Sequence, residues 1–261
     1  MTIVLKIGGA KAVDPAGALD DLVHLSTQGN SLIIVHGGST TIDENLEQMG
    51  ISPNYVETPA GVVGRFTDEA TMKVFTMTMA GLLNTNLVVS LQNLNINAVG
   101  LSGVDGRLLH GPRKDSIRTI ENGKKKILRG DHSGKITSVN TDLIQLLLDN
   151  GYVPVISPPM LADDGVAVNT DADRVSSSLA GSLSATLVSL TDVSGIYRDI
   201  SDPNTLISRA KTPEQYSILQ NAAEGFMTRK LMAATDALQQ GAEKVIIASA
   251  NEEQPLLSAL N

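Results

Sequence analysis

The sequence predicts an α/β protein: a three-layer αβα fold around an open, mostly parallel sheet, with β-hairpins projecting from it. Short apolar runs recur without strict alternation, as strands covered on both faces require. Longer segments with helical spacing lie between them, the alternation that builds parallel sheets. With 42% hydrophobic and 18% charged residues in a chain of 261, there is enough apolar material for a full core.

Taken in order, residues 3–7 (IVLKI) form the first strand and 16–27 the first helix. Residues 32–35 and 40–49 repeat the unit, the second helix starting after Gly37, Gly38, Ser39 and Thr40. The TPAGVVGRFTD segment, flanked by Pro53 and containing Pro59, predicts a loop or hairpin leading into a helix over 68–94 capped near Thr67 or Asp68. Residues 96–136, rich in Gly, charge and short β-prone pieces, predict projecting hairpins with turns at Asp105-Gly106 and Asn122-Gly123. Beyond them come a helix at 140–150, a strand at 153–156, a helix at 172–181, a strand at 186–190, a helix at 225–240 and a strand at 245–248. A lobe boundary near 157–168 divides an N-terminal lobe, 1–160, from a C-terminal lobe, 161–261.

Composition removes several classes of function. A net charge of −8 and a pI near 5.0 oppose general binding to nucleic acid or an anionic membrane surface. The absence of Cys excludes disulfides, thiolate metal sites and cysteine nucleophiles, and fits a cytoplasmic location. The start TIVLKI has no signal-peptide pattern, and no run of about 18 apolar residues predicts a membrane span. Neither GxxxxGK[ST] nor GxGxxG occurs, and the histidines have no metal-ligand spacing. His36 reads as a packed or loop-bonding histidine in preference to a base.

The residues left for chemistry are cations, glycines and a few Asx side chains. Strand–Gly–Gly junctions at Gly8-Gly9 and Gly37-Gly38 expose N–H donors suited to an anion; tight turns alone would also explain them. Lys6 lies inside an apolar strand, which is costly unless its ammonium emerges beside an anion. Lys230, in GFMTRKLMAA, is a second distant lysine beside regular structure. In AVNTDADRVSSSLAG, Asn169, Asp171 and Asp173 suit helix caps, but a carboxylate between two lysines would hold both, and Asp173 is the candidate. Arg65 can reach a carboxylate at the same sheet edge or be a surface arginine, and SLTDVSGIYRD offers a loop for a nucleotide edge.

In this order and at these separations, KIGGA, VHGGST, GRFTD, GLSGVDG, VNTDAD, LTDVSGIY and GFMTRKLMAA resemble the amino-acid kinase superfamily, in its acetylglutamate kinase branch. Within that branch, GRFTD, AVGLSGVDG, the basic stretch PRKDSIR through GKKKILRGDHSGKI, and GFMTRKLMAA look like the archaeal-type kinases that act on 2-aminoadipate or glutamate attached to a small amino-group carrier protein. The resemblance implies ATP with Mg²⁺, Lys6 and Lys230 stabilising a phosphoryl transition state, and Asp173 organising them. It places Gly8 and Gly9 beside the phosphates, and Gly37, Gly38, Arg65 and Asn169 around the acceptor. Thr191, Asp192, Val193, Gly195 and Ile196 fall in its nucleotide loop. It also implies acceptor binding and dimerisation in the first lobe and ATP binding in the second.

Departures bear on the substrate. Ser39 replaces a frequent third glycine, Leu82 stands where a basic residue often precedes Asn84, and Asp171 and Phe66 weigh against acetylglutamate itself. The chain ends at PLLSALN without the GT-rich terminal strand of the resemblance, so a last edge strand is expected to be missing. Residues 113–135 carry net +5 against −13 elsewhere; a solvated hairpin explains a lysine run alone, but the resemblance makes Lys124, Lys125, Lys126 and Arg129 the dock for an acidic carrier. Met72, Phe75, Met77 and Met79 exceed one buried stripe and suggest a homodimer through the 68–94 helix, without arginine feedback; a core role is the competing view. A small-molecule acetylglutamate kinase and a non-catalytic nucleotide-binding module remain the alternatives. Glutamate and aminoadipate differ by one methylene, about 1 kcal/mol, which no pattern here resolves.

Overall fold

Strand β1 (Thr2–Ile7) occupies the middle of the sheet, because five of its six residues are buried and need neighbours on every side. Its Lys6 pairs in register with Val35 of β2 (Ser31–His36) and Ser189 of β12 (Thr186–Thr191). These features belong to a computed structural model, which describes residues 1–9, 16–59, 61, 63–121, 124–199, 201–207, 210–211, 213–222 and 226–261.

The main sheet runs β13–β12–β1–β2–β10–β6–β9, with β5 and β11 also pairing β10. Here β5 is Ala98–Gly103, β6 Leu109–Gly111, β9 Ser138–Val139, β10 Val153–Ala162, β11 Ala167–Val168 and β13 Lys244–Ser249. Its ladders are parallel except β10–β11 and β6–β9. From β1 the chain lays strands to one side as far as β10, then returns to place β12 and β13 on the other. The reversal leaves a crevice at the carboxyl end of β1, the place where open α/β sheets bind ligands.

Alternation along β1 separates two cores. Ile3, Leu5 and Ile7 pack with α1 (Ala16–Thr27) and α9 (Pro255–Leu260), whereas Val4 packs with α6 (Ala172–Ser182) and α8 (Phe226–Gln239). A period of two puts Lys6 on the Val4 side, beneath α6 and α8. At the far edge, buried Asp21 of α1 accepts the N–H groups of Leu256 (2.8 Å) and Leu257 (3.2 Å), satisfying the first turn of α9.

Several expectations change. Residues 96–136 do not all project: β5 and β6 enter the main sheet as parallel neighbours of β10, and Asp105-Gly106 belongs to a 3₁₀ turn between them. The Asp105 carboxylate accepts the Ser102 N–H and hydroxyl, holding that turn against the strand end. Only β7 (Arg113–Glu121) and β8 (Lys124–Gly134) form a projecting hairpin; its expected Asn122-Gly123 turn lies outside the described residues. Across 157–162, where the sequence suggests a lobe boundary, the chain is regular structure, since β10 runs through Pro158 and Pro159 to Ala162. These prolines fit because β10 changes partners there: β2 and β5 end at Ile156 and Ser157, while β11 and β6 begin at Met160 and Leu161.

The 68–94 helix starts where expected, with Asp68 accepting the Thr71 N–H at 2.8 Å. It is composite: α3 (Glu69–Thr76), a π-helical stretch (Met77–Leu83) and α4 (Asn84–Asn93). An extra residue in a turn rotates the downstream helix by about 100°, and here Asn84 and Leu91 end up buried. Contrary to the sequence expectation, this 25-residue helix is long and apolar enough to cross a membrane by length and composition. In the fold, however, Met72, Val74, Phe75 and Met79 pack with Ile42 and Leu46 of α2 (Ser39–Gln48). Its outer surface leaves Met77, Leu82 and Val89 exposed. The expected helix start at Gly225 lies outside the described residues, and α7 (Pro213–Ala222) is an element the pattern did not predict.

Candidate active site

Three charged side chains converge under α6 and α8. Lys6 emerges near the end of β1 with only 4% of its surface exposed, and its Nζ lies 2.8 Å from Asp173 Oδ1. Asp173 stands in the first turn of α6, where the positive end of the helix dipole also favours a carboxylate. Burial alone would raise its pKa. The ammonium groups of Lys6 and then Lys230, with Arg229 beyond, outweigh burial and hold the carboxyl below its usual range. Lys230, on α8, lines the same small cavity as Asp173, Ser176 and Ser189. Its pKa is lowered by burial and then by Lys6, while Asp173 and Asp192 pull the other way. The result is a half-buried carboxylate between two competing cations.

The glycine turns lie against one another. A Cβ on Gly9 would overlap the Gly38 backbone, so this approach requires glycine. Gly8 N–H is committed to Leu190 O (3.2 Å) and Gly37 N–H to Ile7 O (3.0 Å). Among the described residues the Gly9 and Gly38 N–H groups have no partner, and Gly38 is the N-cap of α2. The expected four donors are therefore two, at the dipole end of one helix; residues 10–15, next in the chain after Gly9, lie outside the described residues. His36 is buried next to this turn. Burial depresses its pKa to about 4, partly offset by its contact with the Gly37 carbonyl (3.1 Å). A neutral ring donating from Nδ1 leaves Nε2 to accept from Asn84 Nδ2 (3.2 Å), which also donates to Val155 O (2.9 Å).

The remaining residues of the acceptor set are paired. Arg65, on β4 (Val63–Arg65), contacts Asp43 in an ion pair, donates to Ser39 O (3.2 Å) and Tyr55 Oη (2.8 Å), and lies over the Tyr55 ring. Tyr55, on β3 (Tyr55–Glu57), donates to Asp43 Oδ2 at 2.9 Å. Asn169 Nδ2 donates to Thr67 Oγ1 (2.9 Å), and the Asn169 backbone exchanges bonds with His132 and Gly134 of β8. Asp171 caps α6 by accepting from Arg174 N (2.8 Å) and faces Arg174 and Arg229.

In the expected nucleotide loop, Thr191 ends β12 and donates to Asp192 Oδ1 (2.8 Å). Asp192 is exposed, Val193 is half-buried, and Gly195 has φ +152 against Leu206. Ile196 turns into a small core with Leu219 and Leu231, so its side chain is not presented to a ligand. On β8, Lys125, Lys126 and Arg129 are exposed, and Lys124 is described by its backbone alone.

This sequence matches the amino acid kinase family over residues 1–249. The chain belongs to that family. Among its relatives is a protein of Deinococcus radiodurans named a LysW-aminoadipate kinase, 42% identical over 99% of this chain and 88% of that protein. An acetylglutamate kinase of Methanopyrus kandleri is 37% identical over 94% and 93%. Among solved structures, N-acetylglutamate synthase from Neisseria gonorrhoeae superposes with a TM-score of 0.77 over 98% of this chain and 56% of that one, at 23% identity. That likeness is one of fold.

In this amino acid kinase, a phosphotransferase, sequence reasoning missed Asp43, Tyr55, Lys114 and Arg229. Asp43, Tyr55 and Lys114 sit in no glycine-bearing motif, and Arg229 was passed over beside Lys230 in GFMTRKLMAA. Lys114, on β7, is exposed, yet it stands near the charges at the start of α6: desolvation and Arg174 lower its pKa, while Asp131 and Asp171 act in the opposite sense. Its place in a strongly basic segment hid its proximity to Asp131 and Asp171.

Proposed function

We propose that this kinase transfers the γ-phosphoryl group of ATP to the side-chain carboxylate of 2-aminoadipate or glutamate carried on a small acidic protein, a step of lysine or arginine biosynthesis. The observation that carries this is the Lys6–Asp173–Lys230 arrangement at the carboxyl end of β1. A carboxylate with a reference pKa near 4.3 is already an anion at neutral pH, so no general base is required. Its obstacle is repulsion from the triphosphate. Lys6 and Lys230 offset that charge, Asp173 keeps both lysines in place, and the Gly9 and Gly38 N–H groups supply fixed donors. The carboxylate oxygen forms the new P–O bond as the bond to the ADP oxygen breaks, giving an acyl phosphate.

Among the described residues no group of three His, Asp or Glu side chains is placed to hold a metal. Mg²⁺ would arrive on the ATP phosphates, which suits an ion that keeps few protein ligands, and would neutralise phosphate charge there. The lobe reading assigns the acceptor to β2–β4 and α2–α4 and the nucleotide to β12, β13 and α6–α8, with Thr191 to Ile196 offering mainly backbone. The groove beside Met49, Val74, Met77 and Leu82 supports homodimerisation through the α3–α4 helix, and a biosynthetic role supports a cytoplasmic location.

The carrier is supported by charge: the β7–β8 hairpin presents Lys125, Lys126 and Arg129 to solvent in a segment of net +5. The hairpin contacts the proposed acceptor lobe at two levels: Asp131, towards its base, accepts Thr67 N–H at 3.0 Å, and Thr119, near its tip, donates from Oγ1 to Glu57 O at 2.9 Å. Charge reversal at Lys124 to Lys126 should raise KM for carrier-linked substrate and spare N-acetylglutamate. Equal loss on both substrates would refute docking. Preferential turnover of free N-acetylglutamate by the unaltered enzyme would establish the acetylglutamate kinase reading instead.

A further inference from the structure

Arg229 immediately precedes Lys230 on α8 and reaches two other elements. Its Nη1 donates to the Val63 carbonyl at 3.0 Å, and its Nη2 lies 3.4 Å from Asp171 Oδ2. Val63 opens β4, the strand that ends in Arg65, and Asp171 caps the helix that carries Asp173. One guanidinium therefore touches the acceptor strand and the helix of the bridging acid from the turn that holds Lys230. A planar fork with several donors can satisfy a carbonyl and a carboxylate at once; a lysine ammonium is a point charge on a flexible stem. Asp171, for its part, is engaged by the Arg174 N–H at 2.8 Å as a cap, which fixes the carboxylate that Arg229 grips.

The contact with Val63 joins residues 166 positions apart and is exposed at the rim, where a purely stabilising role is weak. Its geometric consequence is larger. The first turns of α8 carry Lys230, whose ammonium must sit within a few tenths of an ångström of its working place, and small misplacements there cost rate steeply.

We propose that Arg229 is a positioning residue that ties β4 and α6 to the turn bearing Lys230, so that acceptor binding and nucleotide binding are coupled through it. The inference rests on Lys230 acting as a transition-state cation. Coupling of this kind is reciprocal: what the acceptor does to nucleotide affinity, the nucleotide does to acceptor affinity.

The test uses the full-length chain with ATP and carrier-linked 2-aminoadipate for rates, and AMP-PNP titrations with and without the acceptor for coupling. R229Q should fold with near-parental thermal stability, lose about ten- to a hundredfold in kcat, and lose most of the acceptor-dependent tightening of AMP-PNP. R229K, which keeps the charge but not the fork, should recover part of both. An R229Q enzyme with parental kcat and parental coupling overturns the proposal, as does a rate loss matched entirely by loss of folded protein. K230Q separates the two levels. If K230Q is inactive while R229Q behaves as the parent, the inference alone fails; if K230Q turns over normally, the reading of Lys230 falls and the inference with it.

Discussion

Replacing Asp173 by Asn should destabilise this protein more than replacing its partner Lys6 by Met, the reverse of what counting contacts suggests. Lys6 is 4% exposed and its ammonium cannot move to water, so losing the carboxylate at 2.8 Å leaves a buried cation unpaired, with Lys230 adding repulsion. Breaking a buried pair in this way costs about 3–5 kcal/mol. The Asp173 side chain retains 23% exposure and Asn keeps some hydrogen bonding, which favours the lower end, about 3 kcal/mol or roughly a hundredfold in the folding constant. K6M removes the buried cation and leaves Asp173 facing Lys230 and some solvent, so it should cost less. The double variant K6M/D173L should return near parental stability, because an apolar pair of similar size is often neutral in place of a buried ion pair. All three should be inactive.

Urea unfolding at pH 7 without nucleotide, fitted by linear extrapolation, measures these differences. Asp173 has a folded pKa below its unfolded value, so its contribution is fully present above about 4 and is lost as pH falls through the folded pKa. The gap between parent and D173N should therefore be alike at pH 7 and pH 5 and narrow only in stronger acid. A D173N protein within about 0.5 kcal/mol of the parent, the range of ordinary surface substitutions, would refute this reasoning. So would a K6M protein less stable than D173N.

Other outcomes rest on the same geometry. His36 has its pKa depressed from 6.5 to about 4, so the unfolded chain takes up the proton first and stability falls as pH drops through that window, by about 3 kcal/mol in all; H36Q should flatten the urea-stability profile there. Because the Lys230 pKa is lowered by burial and by Lys6, the alkaline limb of kcat/KM should fall at lower pH than an ordinary lysine, and in K230R whatever activity survives should lack that limb; an identical profile in K230R would exclude Lys230 as its source. D21A should lower stability by about 2 kcal/mol by stripping the Leu256 and Leu257 N–H groups of a charged acceptor, with D21N milder, as read by urea midpoint.

Much of the fold is legible because its signals are local. The apolar runs around Ile3–Ile7, Leu32–Val35 and Thr186–Leu190 appear as parallel strands, and Asp68 and Asp171 cap helices as short Asx side chains should. Asp105-Gly106 misled for a related reason. Asp-Gly suits a hairpin turn, and nothing within four residues says that both flanking strands will instead align parallel to β10. The π-helical stretch was equally invisible, since MTMAGLL has the composition of an ordinary helix and the wider turn answers to packing on either side.

By itself the sequence determined the central strands and most of their helices, that Lys6 is an anomaly, a charge inside an apolar strand that has to find an anion, and that Asp173 is the candidate for it. The tertiary structure set Asp173 2.8 Å from Lys6, and it alone decided that two of four glycine N–H groups are spent on the sheet and that Arg65 is held by Asp43. The division has a physical basis. Periodicity and capping act over a few residues, whereas charges 167 positions apart in sequence meet because the crossovers of the sheet bring β1, α6 and α8 to one edge.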